Sequence, residues 1–176
     1  TSSEVLQSRW GSDYAANMQR LQSLAARTGQ AVLLYNGQPA AACYHAISSG
    51  HTEASQNVWG GQLPYLCGVD SAWDKFADGY EVTIQYSAEQ GRTALEELGL
   101  TPDDSPESWV GASTWDKAGY VRTLELCGQM VSGPEVRKAL DLRSTCFAIA
   151  WRGGQFVITT RGYGHGVGLS QYGAKA

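Results

Sequence analysis

The chain has 176 residues, a length typical of a single domain that buries about two-thirds of its unfolded surface. Its formal net charge is −4 and no run of Lys or Arg occurs, which excludes the basic footprint of a nucleic-acid-binding protein. No apolar stretch reaches the roughly 18 to 20 residues that cross a bilayer, and Thr1 opens no signal peptide.

A helix and a β-hairpin are predicted at the start of the chain. The helix runs from Ser12, its capping residue, to about Arg27, because apolar residues recur there at helical spacing. Two apolar runs follow, and the pair Asn36-Gly37 between them is a strong short-range hairpin signal. We therefore predict strands near residues 30 to 35 and 40 to 45.

A polar loop and two further elements come next. The segment from Ile47 to Gly61 is polar and Gly-rich, and loops held by a rigid hairpin are where binding sites tend to form. Tyr80 to Tyr86 alternates as a strand does, and Ser87 begins a predicted helix through Leu98.

The rest of the chain predicts antiparallel strands and one short helix. The pattern indicates strands at Trp109 to Thr114, Tyr120 to Cys127 and Gln129 to Val131, and a helix from Gly133 through Leu140. A last hairpin joins residues 146–151 to residues 155–160. Together these elements predict an α+β fold of antiparallel β-hairpins and sheet with a few short helices.

The four cysteines are widely spaced and form no C-x-x-C pair, which argues against a thioredoxin-type site or a zinc knuckle. Two thiols and two imidazoles, those of Cys43, His45, His51 and Cys67, could formally bind zinc in a tetrahedral arrangement. Their spacing matches no established zinc motif, and we predict no metal and no cofactor. Cys127 and Cys146 lie in apolar runs and are expected to be buried, with a disulfide possible in an exported protein.

The segment Arg161 to Ala174, RGYGHGVGLSQYGA, is the most informative part of the sequence. Its glycines alternate around His165, and glycine at that density lets the backbone approach a ligand or a neighbouring chain segment closely. A dinucleotide-binding loop is excluded because no helix opens after the glycines. A strand that packs tightly against a neighbour stays open as the alternative to a binding loop.

This segment resembles the terminal signature of the stage II sporulation protein D family and of the related amidase-enhancer proteins. Residues 37–71 resemble the family's middle block, with His45, Ser49 and Thr52 on its small polar motif. Residues 133–147 resemble a third block that carries Arg137, Arg143 and Ser144. Three blocks in the family's order make the likeness specific.

The resemblance implies a lytic transglycosylase that cleaves peptidoglycan glycan strands stripped of their stem peptides, with a glutamate as the catalytic group. In the family that glutamate belongs to an N-terminal E-M-P block, which this sequence does not contain. We therefore expect residues 1–176 to be a single domain, the C-terminal portion of a longer protein, and to be inactive alone. The resemblance also implies an extracytoplasmic protein, anchored in a membrane through a segment outside this chain.

The expected site follows from the matched blocks. We expect the segment Arg161 to Ala174 to lie beside the polar loop at residues 45 to 53, since both are Gly-rich and polar and belong together in the family. His165 is predicted to support catalysis, either by placing a glycan hydroxyl or by orienting the absent glutamate, and a satisfied structural histidine is the alternative. Glu53 is read as a solvated surface group. The predicted substrate-binding residues are His45, Ser49, Thr52, Arg143, Ser144, Ser170, Gln171 and Tyr172.

The expected partners are also those that the resemblance implies. They are peptidoglycan glycan strands, a cell-wall amidase and a membrane scaffold protein of the engulfment machinery, with no nucleic acid. The expected role is cell-wall remodelling in sporulation and engulfment. A second hypothesis is a non-catalytic glycan-binding or amidase-activating module.

Overall fold

A computed structural model describes residues 2–29 and 31–175, and its contacts divide the chain into two compact units that meet in sequence between Ala41 and Ala42. Short helices and mainly antiparallel strands confirm the α+β class. Among the described residues, no helix is both long enough and apolar enough to span a bilayer.

The N-terminal unit contains helices α1 (Ser3–Trp10) and α2 (Tyr14–Thr28), joined by a 3-10 turn at Gly11–Asp13. The body of the predicted helix is confirmed, but α2 begins at Tyr14 and its N-cap makes no side-chain hydrogen bond. The sequence analysis missed α1. Its start carries a side-chain cap, since the Ser2 hydroxyl accepts a hydrogen bond from the Val5 N–H, but its apolar residues lack helical periodicity.

The Asn36-Gly37 turn is confirmed, because both residues have the positive φ (50° and 76°) that a type I′ turn requires. It joins β1 (Leu34–Tyr35) to β2 (Gln38–Pro39). The predicted second strand at 40 to 45 is wrong: only Tyr44–His45 (β3) forms a strand there, and it pairs in parallel with a distant segment. Gln30, the first residue of the predicted first strand, lies outside the described residues.

The C-terminal unit is built on two three-stranded antiparallel sheets, which confirm the strands predicted after residue 80. One sheet has the order β4 (Glu81–Ser87), β9 (Gln155–Arg161), β8 (Phe147–Arg152). The other has the order β5 (Val110–Trp115), β6 (Val121–Leu126), β7 (Gln129–Ser132).

Three helices belong to this unit. The helix α4 (Ala88–Glu97) starts at a capping box of Ser87 and Gln90, and α5 (Gly133–Ala139) starts at one of Ser132 and Glu135, so both predicted helices are confirmed. The helix α3 (Ser55–Trp59) was not predicted, and two 3-10 turns lie at Ala72–Phe76 and Pro106–Ser108.

The apolar core of this unit lies where the sheets meet α4 and α5. Trp109 and Phe156 stack with ring centroids 5.7 Å apart, and Leu124, Val136 and Ile158 are at most 2% exposed around them. Burial of this kind contributes about 1.5 to 3 kcal/mol for each large side chain. This core holds the strands and loops that carry the site.

The four cysteines are unpaired thiols. Cys146 is buried, as predicted, and burial raises its pKa to about 11. Cys127 is only half-buried, at the turn between β6 and β7 where its φ is positive.

Candidate functional site

Two segments that are far apart in the sequence lie side by side at the candidate site. β3 pairs in parallel with β10 (Leu169–Ser170), and Ile47 and Tyr163 exchange main-chain hydrogen bonds of 2.7 and 3.1 Å. The Glu53 N–H donates to the Gly166 carbonyl at 2.7 Å. These contacts confirm the prediction that the polar loop and the Gly-rich segment lie together.

Close packing accounts for the glycines of the terminal segment. Gly162, Gly164, Gly166 and Gly168 all have positive φ, which side chains rarely adopt. A Cβ on Gly166 would lie 2.6 Å from the Tyr120 hydroxyl, and one on Gly162 would lie 2.8 Å from the Ile47 carbonyl oxygen. The structure therefore favours the tight-packing alternative over a ligand-binding loop at these four positions.

Asp74 connects the polar loop to the Gly-rich segment through hydrogen bonds to both. Its buried carboxylate accepts hydrogen bonds from the Ser48 N–H at 2.8 Å, from the Ser48 hydroxyl, and from the Ser170 hydroxyl at 2.6 Å. Burial alone would raise the pKa of Asp74, but these hydrogen bonds outweigh it and the pKa is lowered. Sequence analysis missed Asp74, since nothing in its neighbourhood marks it as different from a surface aspartate.

The two histidines of the predicted site come together with a tryptophan. The rings of His45 and His165 lie 5.9 Å apart, and Trp59 lies 5.0 Å from His165. His165 is half-buried, and its Nδ1 accepts a hydrogen bond from the Val167 N–H at 3.1 Å, which places the proton of the neutral ring on Nε2. Burial, and next the neighbouring His45 and Arg137, lower the pKa of His165.

His45 is almost fully buried. Its Nδ1 lies 3.2 Å from the Val167 carbonyl oxygen, and its Nε2 has no hydrogen-bond partner among the described residues. Burial lowers the pKa of His45, so the ring is neutral at pH 7.

His165 also lines a cleft of about 180 Å³. The cleft brings together the Gly-rich segment, the region of α3, the start of β6 and helix α5. Its walls are formed by Glu53, Asn57, Val58, Val121, Arg122, Ser132, Pro134, Arg137, Thr145 and His165. Trp59, with 51% of its surface exposed, stands next to this cleft through its contact with His165.

The interpretation of Glu53 as a solvated surface group is wrong, because the side chain is 4% exposed. One carboxylate oxygen accepts from the Ala54 N–H and from the Asn57 amide, both at 2.7 Å. The other accepts from Arg122 at 2.8 Å, and Arg122 also binds Asp116 at 2.5 Å. Burial, and next the neighbouring Asp116 carboxyl, raise the pKa of Glu53.

Comparison of the sequence with those of known proteins identifies relatives of this chain. The chain is 36% identical over 170 residues to "Stage II sporulation protein D" of Bacillus subtilis (strain 168), covering 96% of this chain and 48% of that protein. It is 37% identical over 174 residues to the protein of the same name from Bacillus amyloliquefaciens, covering 98% of this chain and 49% of that protein. The chain belongs to the stage II sporulation protein D family.

This family member spans about half the length of the curated relatives it matches. A more distant similarity, 25% identity over 198 residues, connects it to "Amidase enhancer" of Bacillus subtilis (strain 168), covering 82% of this chain and 28% of that protein. No protein-family model matches the sequence.

Five of the residues predicted to bind substrate are buried and hydrogen-bonded to the protein itself. The Ser49 hydroxyl donates to the Ala118 carbonyl at 2.8 Å, and the Thr52 hydroxyl accepts from the Val69 N–H at 2.9 Å. These hydrogen bonds hold the loops in place, and contact of the five residues with substrate stays a prediction. The five are His45, Ser49, Thr52, Ser144 and Ser170.

The other predicted residues are accessible but lie outside the cleft lining. The Arg143 guanidinium stacks on the Tyr163 ring at 4.2 Å, while Gln171 and Tyr172 are exposed. Their contact with substrate stays a prediction. Of the predicted residues, His165 is the one that the structure places in the cleft, and sequence analysis did not single out Arg122 or Arg137 as part of the site.

A metal centre is not assembled in the described part of the chain. No group of three or more His, Cys, Asp or Glu side chains among residues 2–29 and 31–175 is placed to hold a metal ion. The formal set that includes Cys43 and His51 is therefore not brought together in this structure.

Proposed function

We propose that this chain is the glycan-binding part of a protein that remodels the bacterial cell wall during sporulation. The observation that carries the proposal is the cleft with Trp59 and His165 beside it. The relatives named for stage II of sporulation support the developmental stage, and the relative named for amidase enhancement supports a cell-wall role.

The surroundings of the cleft suit a sugar chain. Sugar rings stack on flat aromatic faces, and Trp59 offers such a face, half-exposed and braced by the His165 ring. The hydroxyl of Thr145 and the amide of Asn57 add neutral polar groups that can bind hydroxyl and acetamido substituents.

For the whole protein we propose glycan cleavage of the lytic transglycosylase type. In that reaction a carboxyl group protonates the glycosidic oxygen and then, as a carboxylate, takes the proton from the sugar's 6-hydroxyl group, which gives an anhydro product. Glu53 is the sole carboxylate among the described residues of the cleft, and both of its oxygens are already engaged. We therefore propose that the reacting carboxyl comes from residues outside this chain.

Glycan affinity tests the proposal directly. We expect the purified chain to bind glycan strands stripped of stem peptides. We expect Trp59→Ala to weaken binding about tenfold, since covering the exposed half of a large apolar side chain contributes on the order of 1 to 1.5 kcal/mol. Trp73→Ala is the matched control, because Trp73 is 65% exposed and does not line the cleft. Equal affinities of the two variants, measured by calorimetry, would reject the cleft as the glycan site.

The alternative is an amidase-activating module without catalysis of its own. An exposed aromatic pair favours it: Trp73 and Phe76 are 65% and 80% exposed, with ring centroids 6.0 Å apart. Aromatic residues of this kind are enriched at protein interfaces. Stimulation of a purified cell-wall amidase by the chain, abolished in Phe76→Ser and retained in Trp59→Ala, would favour this function over glycan binding at the cleft.

A further inference from the structure

One guanidinium in the cleft has no carboxylate partner. Arg92, Arg122 and Arg161 of the C-terminal unit each pair with a carboxylate within 4 Å. Arg137, Arg143 and Arg152 make no ion pair with any described residue, and of these three Arg137 is the one that lines the cleft, half-buried on α5. A partly desolvated charge without a counterion is costly in a folded protein unless a ligand supplies the counterion.

The Arg137 side chain is held in place by its own main chain. Its Nε donates to the Leu142 carbonyl at 3.0 Å and its Nη2 to the Arg143 carbonyl at 3.1 Å. Its Nη1 has no hydrogen-bond partner among the described residues. The guanidinium therefore keeps N–H donors for a ligand while its position is fixed by the loop after α5.

The other charges that line the cleft are already compensated. Arg122 is neutralised by Glu53 and Asp116, and the burial-lowered pKa of His165 leaves that ring neutral at pH 7. Arg137 is thus the uncompensated charge on the cleft wall. An arginine fork matches the planar geometry of a carboxylate better than that of a hydroxyl group.

We propose that Arg137 binds a carboxylate on the glycan and makes the cleft selective for sugars that carry a free acid group. This inference rests on the proposed function. In peptidoglycan the lactyl group of N-acetylmuramic acid ends in a free carboxylate only where the stem peptide has been removed, because an attached peptide turns that carboxylate into an uncharged amide. Arg137 therefore binds the lactyl carboxylate that removal of the stem peptide exposes, and favours glycan without stem peptides.

The experiment compares three tetrasaccharides on the full 176-residue chain. The first alternates N-acetylglucosamine with N-acetylmuramic acid and has free lactyl carboxylates, the second has the same sugars as lactyl methylamides, and the third is uncharged chitotetraose. We expect the free acid to bind at least about tenfold more tightly than its amide, the size of effect typical of a hydrogen bond to a charged group. Arg137→Gln should remove that preference and leave chitotetraose binding within about twofold.

Arg152→Gln is the matched control, because Arg152 is exposed at the end of β8 and is absent from the cleft lining. It should keep the preference for the free acid. Equal binding of acid and amide by the wild type, or a preference that survives in Arg137→Gln, would overturn the role of Arg137 while leaving glycan binding intact. Failure of all three sugars to bind the wild type would overturn both this inference and the proposed function.

A second measurement does not depend on the variant's folding, since Arg137→Gln also removes two hydrogen bonds to the main chain. Raising NaCl from roughly 50 to 500 mM weakens charge pairs, strongly where they are exposed and less where they are half-buried like Arg137. In the wild type this should shrink the preference for the free acid about twofold and leave chitotetraose affinity unchanged. A preference that is insensitive to salt would overturn the proposal.

Discussion

Burial in two regions is the reverse of what their compositions predict. The apolar spacing of α2 predicts an inner face, yet neither α1 nor α2 contains a buried residue. The polar composition of residues 45–55, the end of β3 and the first part of the polar loop, predicts exposure, yet this stretch holds six buried polar side chains. These are His45, Ser48, Ser49, Thr52, Glu53 and Ser55.

The difference shows that periodicity and burial are separate properties. A helix needs favourable residues and a start signal, whereas burial needs a surface that covers it. The polar loop is buried because its groups find partners: Asp74 binds Ser48, and Ser55 bonds with main-chain groups of Gly61 and Leu63 at 2.9 and 2.8 Å. Satisfied polar groups can lie in an interior at little cost.

The largest expected effect on stability comes from Asp74→Asn, which would remove buried hydrogen bonds of the polar loop. The amide cannot accept all the hydrogen bonds that the carboxylate accepts from Ser48 and Ser170, so at least one buried hydroxyl loses its partner. We expect the free energy of unfolding, measured with urea, to fall by about 2 to 4 kcal/mol. Asp78→Asn, at an exposed position nearby, should stay within about 0.5 kcal/mol of wild type.

The difference in stability between wild type and Asp74→Asn should depend on pH, which tests the role of the Asp74 carboxylate in the buried polar loop. The pKa of Asp74 is lower in the folded protein than in the unfolded chain, where it is about 3.9. The stabilisation is therefore fully present above the unfolded pKa and is lost as the pH falls through the folded pKa. We expect the stability gap between wild type and Asp74→Asn to be constant from about pH 5 to 7 and to narrow below about pH 4. A gap that widens on acidification would contradict this assignment.

A smaller effect is expected for His165→Ala. The ring accepts one main-chain hydrogen bond and contacts Trp59, so glycan affinity should fall by about 0.5 to 1.5 kcal/mol while the melting temperature changes little. His51→Ala is the control, because His51 is half-buried and outside the cleft. A clear loss of stability with unchanged affinity would mean that His165 is structural.

The smallest effect is expected on α2. Leu21 is 45% exposed, so Leu21→Ala should change the free energy of unfolding of the C-terminal unit by less than about 0.5 kcal/mol. Leu124→Ala, which removes a side chain 2% exposed in the core, should cost about 2 to 5 kcal/mol. Comparable losses from the two substitutions, followed by urea denaturation, would contradict the contrast between the regions.

Local signals predicted much of the C-terminal unit. Alternation identified β4 and the strands of both sheets, and the cap at Ser87 identified α4, because each signal acts over a few residues. The strand at 40 to 45 was wrong because Tyr44 and His45 pair with Leu169 and Ser170, and no short-range pattern encodes that parallel partner. Pairing between distant segments depends on the whole fold.

For the site, too, some features could be predicted from the sequence and others could not. The family motifs located His165 and predicted that the Gly-rich segment meets the polar loop. They did not indicate that Ser49, Thr52 and Ser144, which were predicted to bind substrate, would be buried. Glu53 was left out of the site because an isolated glutamate in a sequence resembles any surface charge. Arg137 lies in the third matched block, but the resemblance alone assigned it no role in the site.

The pairing of β3 with β10 has a consequence for the order of folding. His45 and its partner Val167 are 122 positions apart, so the contact closes a loop that spans most of the chain. Long-range closure of this kind is slow compared with the formation of local hairpins. The two sheets can therefore form from local hairpins before residues 163–172 meet residues 44–53. The cleft, which needs His165 in place beside β6 and α5, is then the last part of this unit to assemble.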